Sequence, residues 1–126
     1  MNCYVMNRRG IFRTPKATPN QCKVKGHRKY HYDIAMVFPS NVKLDENMFI
    51  LDHQDVDNCI QKCTLVGSCE EMHLVMSREL RNLFKFKKIP IMGIRAVIYP
   101  DIPVGAANLS YIWTHPRSKN ILPLLI

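Results

Sequence analysis

Residues 49–83 read FILDHQDVDNCIQKCTLVGSCEEMHLVMSRELRNL, and this stretch decides the fold. Phe49, Ile50 and Leu51 close an extended segment, and Asp52 follows as the N-cap of a first helix. Asp55, in that helix's first turn, complements the positive end of its dipole. Val56, Ile60 and Cys63 share one helical stripe, with Cys59 beside it. Val66-Gly67 breaks the helix. Ser68 and Glu71 have the spacing of a capping box and open a second, longer helix. Met72, Val75, Met76, Leu80 and Leu83 form its apolar face. Lys85, Lys87 and Lys88 stand at the negative end of its dipole.

Extended sequence flanks both helices. Residues 3–13, CYVMNRRGIFR, predict a hairpin or a bulged strand, because Gly10 and Asn7-Arg8-Arg9 interrupt the apolar residues. TPKATPNQ is loop-like. Residues 30–38 form a clear strand in which Tyr32, Ile34, Met36 and Phe38 alternate with His31, Asp33, Ala35 and Val37; Pro39, Ser40 and Asn41 end it. After Pro90, residues 91–99 alternate Ile94, Ala96 and Ile98 with Arg95, Val97 and Tyr99. A Pro/Gly turn over 100–105 leads to a last strand with Leu109, Tyr111 and Trp113 on one face.

The order is ββααββ, which predicts an α+β fold: an antiparallel four-stranded sheet with two helices on one face. The opposite sheet face is then polar or meets another subunit. Residues 1–114 make one domain and 115–126 a C-terminal tail. The apolar ILPLLI is too short for an anchor, and packing on a neighbour or disorder is expected of it.

A chain of 126 residues with 47% hydrophobic content fills one core and gains further burial by assembling with copies of itself. No run approaches the length of a membrane span, and MNCYVMNRRG is not a secretory leader. The five cysteines, an odd number, read as reduced thiols in a cytoplasmic setting. The net charge is +8, and no acid precedes Asp33. Arg8, Arg9, Arg13, Lys16, Lys23, Lys25, Arg28 and Lys29 all fall in that span. Such a basic third suits nucleic acid, an anionic small molecule such as a phosphorylated one, or an acidic partner; equally, it is a solvated face.

Three local patterns occur in order. Cys22 precedes Gly26-His27 and Tyr30-His31-Tyr32; Phe49-Ile50-Leu51-Asp52-His53-Gln54-Asp55-Val56 spans a strand-to-helix junction; Ser68-Cys69-Glu70-Glu71-Met72 opens the second helix. Together they resemble the T-fold, or tunnelling fold, family of 6-pyruvoyl-tetrahydropterin synthase and 6-carboxytetrahydropterin synthase. The likeness covers roughly residues 22–113. It implies a homo-oligomer that binds a purine- or pterin-type ligand at subunit edges. By the same likeness Cys22 and His31 take part in proton transfer, His27 and His31 hold zinc, and Glu70 and Asp101 grip the ligand. Two departures bear on the chemistry. No histidine precedes His27, and the position two after it is Lys29, an ammonium where the family has a zinc ligand. The region after the third strand offers Asp101 in place of the family's glutamate. The carbon–oxygen lyase chemistry of the family is thus lost or altered, and a non-enzymatic structural or interaction subunit is the alternative.

Other constellations carry two readings each. Cys22 near His27 or His31 is a thiol–imidazole pair or an ordinary loop cysteine. Cys59, Cys63, Cys69 and His73, spaced four apart on consecutive helices, suit tetrahedral zinc or a helix–helix seam. Tyr30, His31 and Tyr32 with Arg28 and Lys29 can stack a planar ring and hold phosphate, or are plain strand residues. Asp33, lying among aromatic residues, is expected to pair with a basic neighbour across the sheet.

Overall fold

In a computed structural model the protein is described over residues 2–13, 29–63, 69–101 and 109–126. The elements are β1 (Cys3–Arg13), β2 (Lys29–Pro39), α1 (His53–Lys62), α2 (Cys69–Phe86), β3 (Gly93–Pro100), β4 (Leu109–Thr114) and a 3-10 segment (Lys119–Leu124). The strands form one antiparallel sheet in the order β1-β2-β3-β4. This is the expected ββααββ arrangement.

Alternation in the strands sorts the two faces. Tyr30, Tyr32, Ile34, Met36 and Phe38 of β2 and Ile94, Ala96 and Ile98 of β3 turn toward the helices and are buried. Val56 and Ile60 of α1 and Met72, Met76, Leu80 and Phe84 of α2 close this core. Phe84 extends the i, i+4 series one step beyond the expected face, and it meets Phe38 edge-on at 5.3 Å. Asp52 caps α1 as predicted, its carboxylate accepting the Gln54 N–H at 2.9 Å. Asp55 bonds Lys87 at 2.8 Å, which ties the start of α1 to the end of α2. Ser68 lies outside the described residues.

Two expectations need correction. Residues 3–13 are neither a hairpin nor a bulged strand: β1 pairs with β2 without interruption from Cys3↔Pro39 to Arg13↔Lys29. Gly10 interrupts nothing. It pairs with Tyr32, whose ring occupies the space a Cβ would need.

The second correction concerns residues after His115. They are ordered against their own sheet, on the face opposite the helices. Ile121 and Leu125 are buried there with Val37, and Cys3, Ala35, Met92 and Ile112 pack around them. Gly93 makes room, since a Cβ on it would stand 2.6 Å from Ile121 Cδ1 and 2.7 Å from Leu125 Cδ1. The second sheet face is therefore divided. Its end at the close of β2 and the start of β3 is covered by the C-terminal segment. Its other end, around Arg9, Ile11, His31, Asp33 and Tyr99, is not covered by any described residue.

Candidate functional site

The end of the sheet around His31 and Tyr99 is where register brings candidate residues together. His31 lies on β2 opposite Tyr99 of β3, and the rings stack with centroids 5.1 Å apart at 13°. Asp101 follows β3 directly. Its amide bonds the Lys29 carbonyl at 3.0 Å, which extends the strand pairing by one rung. The carboxylate then reaches back across β2. One oxygen is 2.8 Å from His31 Nε2, and the other is 3.2 Å from Lys29 Nζ.

Hydrogen bonds from His31 and then Lys29 hold the Asp101 carboxyl below its ordinary value. With Nε2–H donating to that carboxylate, the lone pair of the imidazole sits on Nδ1. This is a His–carboxylate dyad in which the acid fixes the tautomer. A shallow groove of about 460 Å³ runs beside it, lined by Arg9, Ile11, His31, Asp33 and Tyr99 among others. Arg9 pairs with Asp33 at 3.1 Å, the cross-strand partner expected for that acid.

The structure thus brings His31 and Asp101 into contact. Glu70 is exposed in the first turn of α2, on the helix side of the sheet, and does not join them. Cys22 and His27 lie outside the described residues. Among the described residues, no group of three His, Cys, Asp or Glu side chains is placed to hold a metal ion. His73 in particular is engaged with backbone. The Ile98 N–H donates to Nε2 at 3.0 Å, which assigns the ring proton to Nδ1, 2.7 Å from the Cys69 carbonyl. Nε2 also lies 3.0 Å from the Leu109 carbonyl oxygen.

A second cleft, of about 480 Å³, opens beside the start of α1 and is lined by Arg8, Phe49, Leu51, His53, Gln54 and Asp57 among others. Arg8 on the helix side of β1 grips Asp57 with a fork, Nε at 3.0 Å and Nη2 at 2.6 Å. Its remaining nitrogen lies 3.3 Å from His53 Nδ1. The hydrogen bond to Asp57 raises the Arg8 pKa. Burial foremost raises that of the neighbouring Tyr32 hydroxyl. The reading of the sequence did not find this cluster. Its one signal was Asp57, the acid in α1 that capping leaves unexplained. With Arg8, Arg9 and Lys29 all paired to carboxylates, this part of the basic third is not a field of free cations.

No helix among the described residues is long and apolar enough to cross a membrane. No protein-family model matches the sequence, and no curated protein matches it. Among solved structures, a dihydroneopterin aldolase from Burkholderia thailendensis bound to guanine is similar, with a TM-score of 0.51 and 12% identity. The match covers 86% of this chain and 92% of that one. The likeness shows the fold: this chain has the T-fold architecture of that aldolase.

Proposed function

We infer that this chain is a T-fold subunit that binds a planar purine- or pterin-type heterocycle at a boundary between copies of itself. The observation that carries this reading is the fold, shared over nearly its whole length with an aldolase whose structure holds guanine. The chemistry of the sheet end around His31 and Asp101 is compatible with it. The stacked His31–Tyr99 pair offers a flat wall. Asp101 is a carboxylate held ionised, able to accept from ring and exocyclic N–H groups. Lys29 supplies positive charge beside it. Glu70, with its exposed carboxylate at the start of α2, would serve a ligand held by a neighbouring copy.

Assembly has its own support. Among the described residues the outer edges of β1 and β4 have no strand beside them. Tyr4, Val5 and Ile11 on β1 are large, apolar and exposed. An edge strand that exposes apolar residues can pair with another chain.

Any proton transfer on the ligand would use the His31 Nδ1 lone pair, with Asp101 as the positioning group. Cys22 and His27 belong to the connection that starts after Arg13 and returns at Lys29, a rung of the sheet next to this dyad.

Calorimetric titration with guanine and with pterin tests the reading, alongside sedimentation velocity. Saturable binding by an oligomer, weakened at least tenfold in Asp101→Ala and in Tyr99→Ala with the fold intact, supports it. A monomer that binds neither compound at millimolar concentration overturns it.

A further inference from the structure

α1 carries two thiols one turn apart, and nothing in the ligand-binding reading uses them. Cys59 is partly exposed and lines a groove of about 370 Å³, with Lys62, Glu79, Asn82, Leu83 and Phe86 among its walls. Cys63 is buried at the C-cap of the same helix. Its Sγ lies 3.2 Å from the Cys59 carbonyl oxygen, within reach of a thiol hydrogen bond to that backbone.

Helix geometry sets Cα atoms four residues apart at about 6 Å, inside the span a disulfide bridges. Bond formation asks for movement of a terminal residue, because Cys63 is where the helical backbone already ends.

We propose that Cys59 and Cys63 form a redox modification site, in which Cys59 is the attacking thiol and Cys63 the resolving one. The oxidant is a low-molecular-weight disulfide. The Cys59 thiolate attacks one of its sulfurs, a mixed disulfide forms on Cys59, and one thiol leaves. Cys63 then gives its proton to solvent, attacks Cys59 Sγ and expels the second thiol. Two protein thiols are oxidised to one disulfide, and one small disulfide is reduced to two thiols.

The assignment of roles follows the surroundings. The neighbouring Cys63 thiol, with help from Lys62, lowers the Cys59 pKa against burial and the Glu79 charge. The adjoining Cys59 thiol and burial raise that of Cys63. Access agrees, since the groove reaches Cys59 and Cys63 is 2% exposed. Cys69 differs: its Sγ lies 3.4 Å from the Ile98 carbonyl, with no second thiol one turn away.

The test uses the folded full-length chain in a Cys22→Ser background, treated with oxidised glutathione and read by intact mass and peptide mapping. The expected product has lost two hydrogens and joins the peptides of Cys59 and Cys63. Cys59 reacts roughly tenfold faster than Cys3 or Cys69. Adding Cys63→Ser should halt the reaction at a glutathione adduct on Cys59, and adding Cys59→Ser should abolish both products. Equal modification of Cys3, Cys59 and Cys69 would overturn the proposal. So would a joined product that forms only in denaturant, or an adduct on Cys63 in the Cys59→Ser protein.

Discussion

Gly10 of β1 lies directly across from Tyr32 of β2, and the Tyr32 ring fills the space of the missing side chain: a Cβ would stand 2.7 Å from its Cζ and closer still to its hydroxyl. The ring is buried, so it has little room to retreat. Gly10→Ala should destabilise the fold by about 1–3 kcal/mol, the usual cost of overpacking. Urea unfolding measures this. Tyr32→Phe in the same chain should recover part of the loss by removing the closest atom; a Gly10→Ala protein as stable as the parent would show that the ring moves freely.

Arg8 and Asp57 form a two-pronged ion pair between β1 and α1. Both side chains are only about a quarter exposed, 28% and 24%. A double-mutant cycle of Arg8→Ala and Asp57→Ala should give a coupling of about 1 kcal/mol, above that of an open surface pair. Arg8→Lys should recover little of it, because an ammonium cannot span both oxygens. A coupling near zero would mean that the contact is geometry without energy.

His73 is the polar residue that ties α2 to β3, and it is almost fully buried. His73→Ala leaves the Ile98 N–H without its acceptor and opens a gap beneath the sheet. The cost should be about 2–4 kcal/mol. Hydrogen exchange gives the sharper readout. The Ile98 amide should lose protection well before the amides of Ile34 and Met36, and uniform loss along the sheet would contradict the local role.

Ser77 has the opposite expectation. Its buried hydroxyl has no partner among the described residues. Ser77→Ala removes a desolvated polar atom from the inner face of α2 and should raise stability by up to about 1 kcal/mol. A drop in the thermal midpoint would reveal a hydrogen bond at that site.

Asp101 sets the pH dependence of the sheet end. Its pKa is depressed below the ordinary 3.8 by His31 and Lys29. A depressed carboxyl stabilises the fold above its ordinary value, and that contribution is lost as pH falls through the lower, folded value. The group is well exposed, so the effect on global stability is small. The local effect is measurable: the carboxyl carbon signal should titrate below 3.8 in the native chain and move upward in His31→Ala. An unchanged midpoint would disconnect the dyad.

The architecture was legible because local signals agreed with one another. Alternation along 30–38 and 91–99, the Asp52 cap and the Met72–Met76–Leu80 series each pointed to the same layers, and each depends on nearby residues. What stayed hidden depends on distant complementarity. Ile121 and Leu125 have helical spacing, but Pro123 and the short length disguise it, and their partner is the bare backbone at Gly93. His31 and Asp101 are seventy positions apart and meet only because of the β2–β3 register. Arg8 and Asp57 meet for an equally distant reason: Arg8 falls on the helix side of β1, a side that the hairpin reading of residues 3–13 obscured.

The divided second face of the sheet gives the molecule two ends with different tolerance of change. Around Val37, Gly93, Ile121 and Leu125 the side chains interlock, so substitutions there are selected on whether the chain folds. Around Lys29, His31, Tyr99 and Asp101 the contacts are exposed and ionic, so residues can be exchanged with little loss of core. New specificities would therefore arise at the second end while the first holds the scaffold constant, and a library randomised at each end separately should separate the two: folding lost at one, ligand preference shifted at the other.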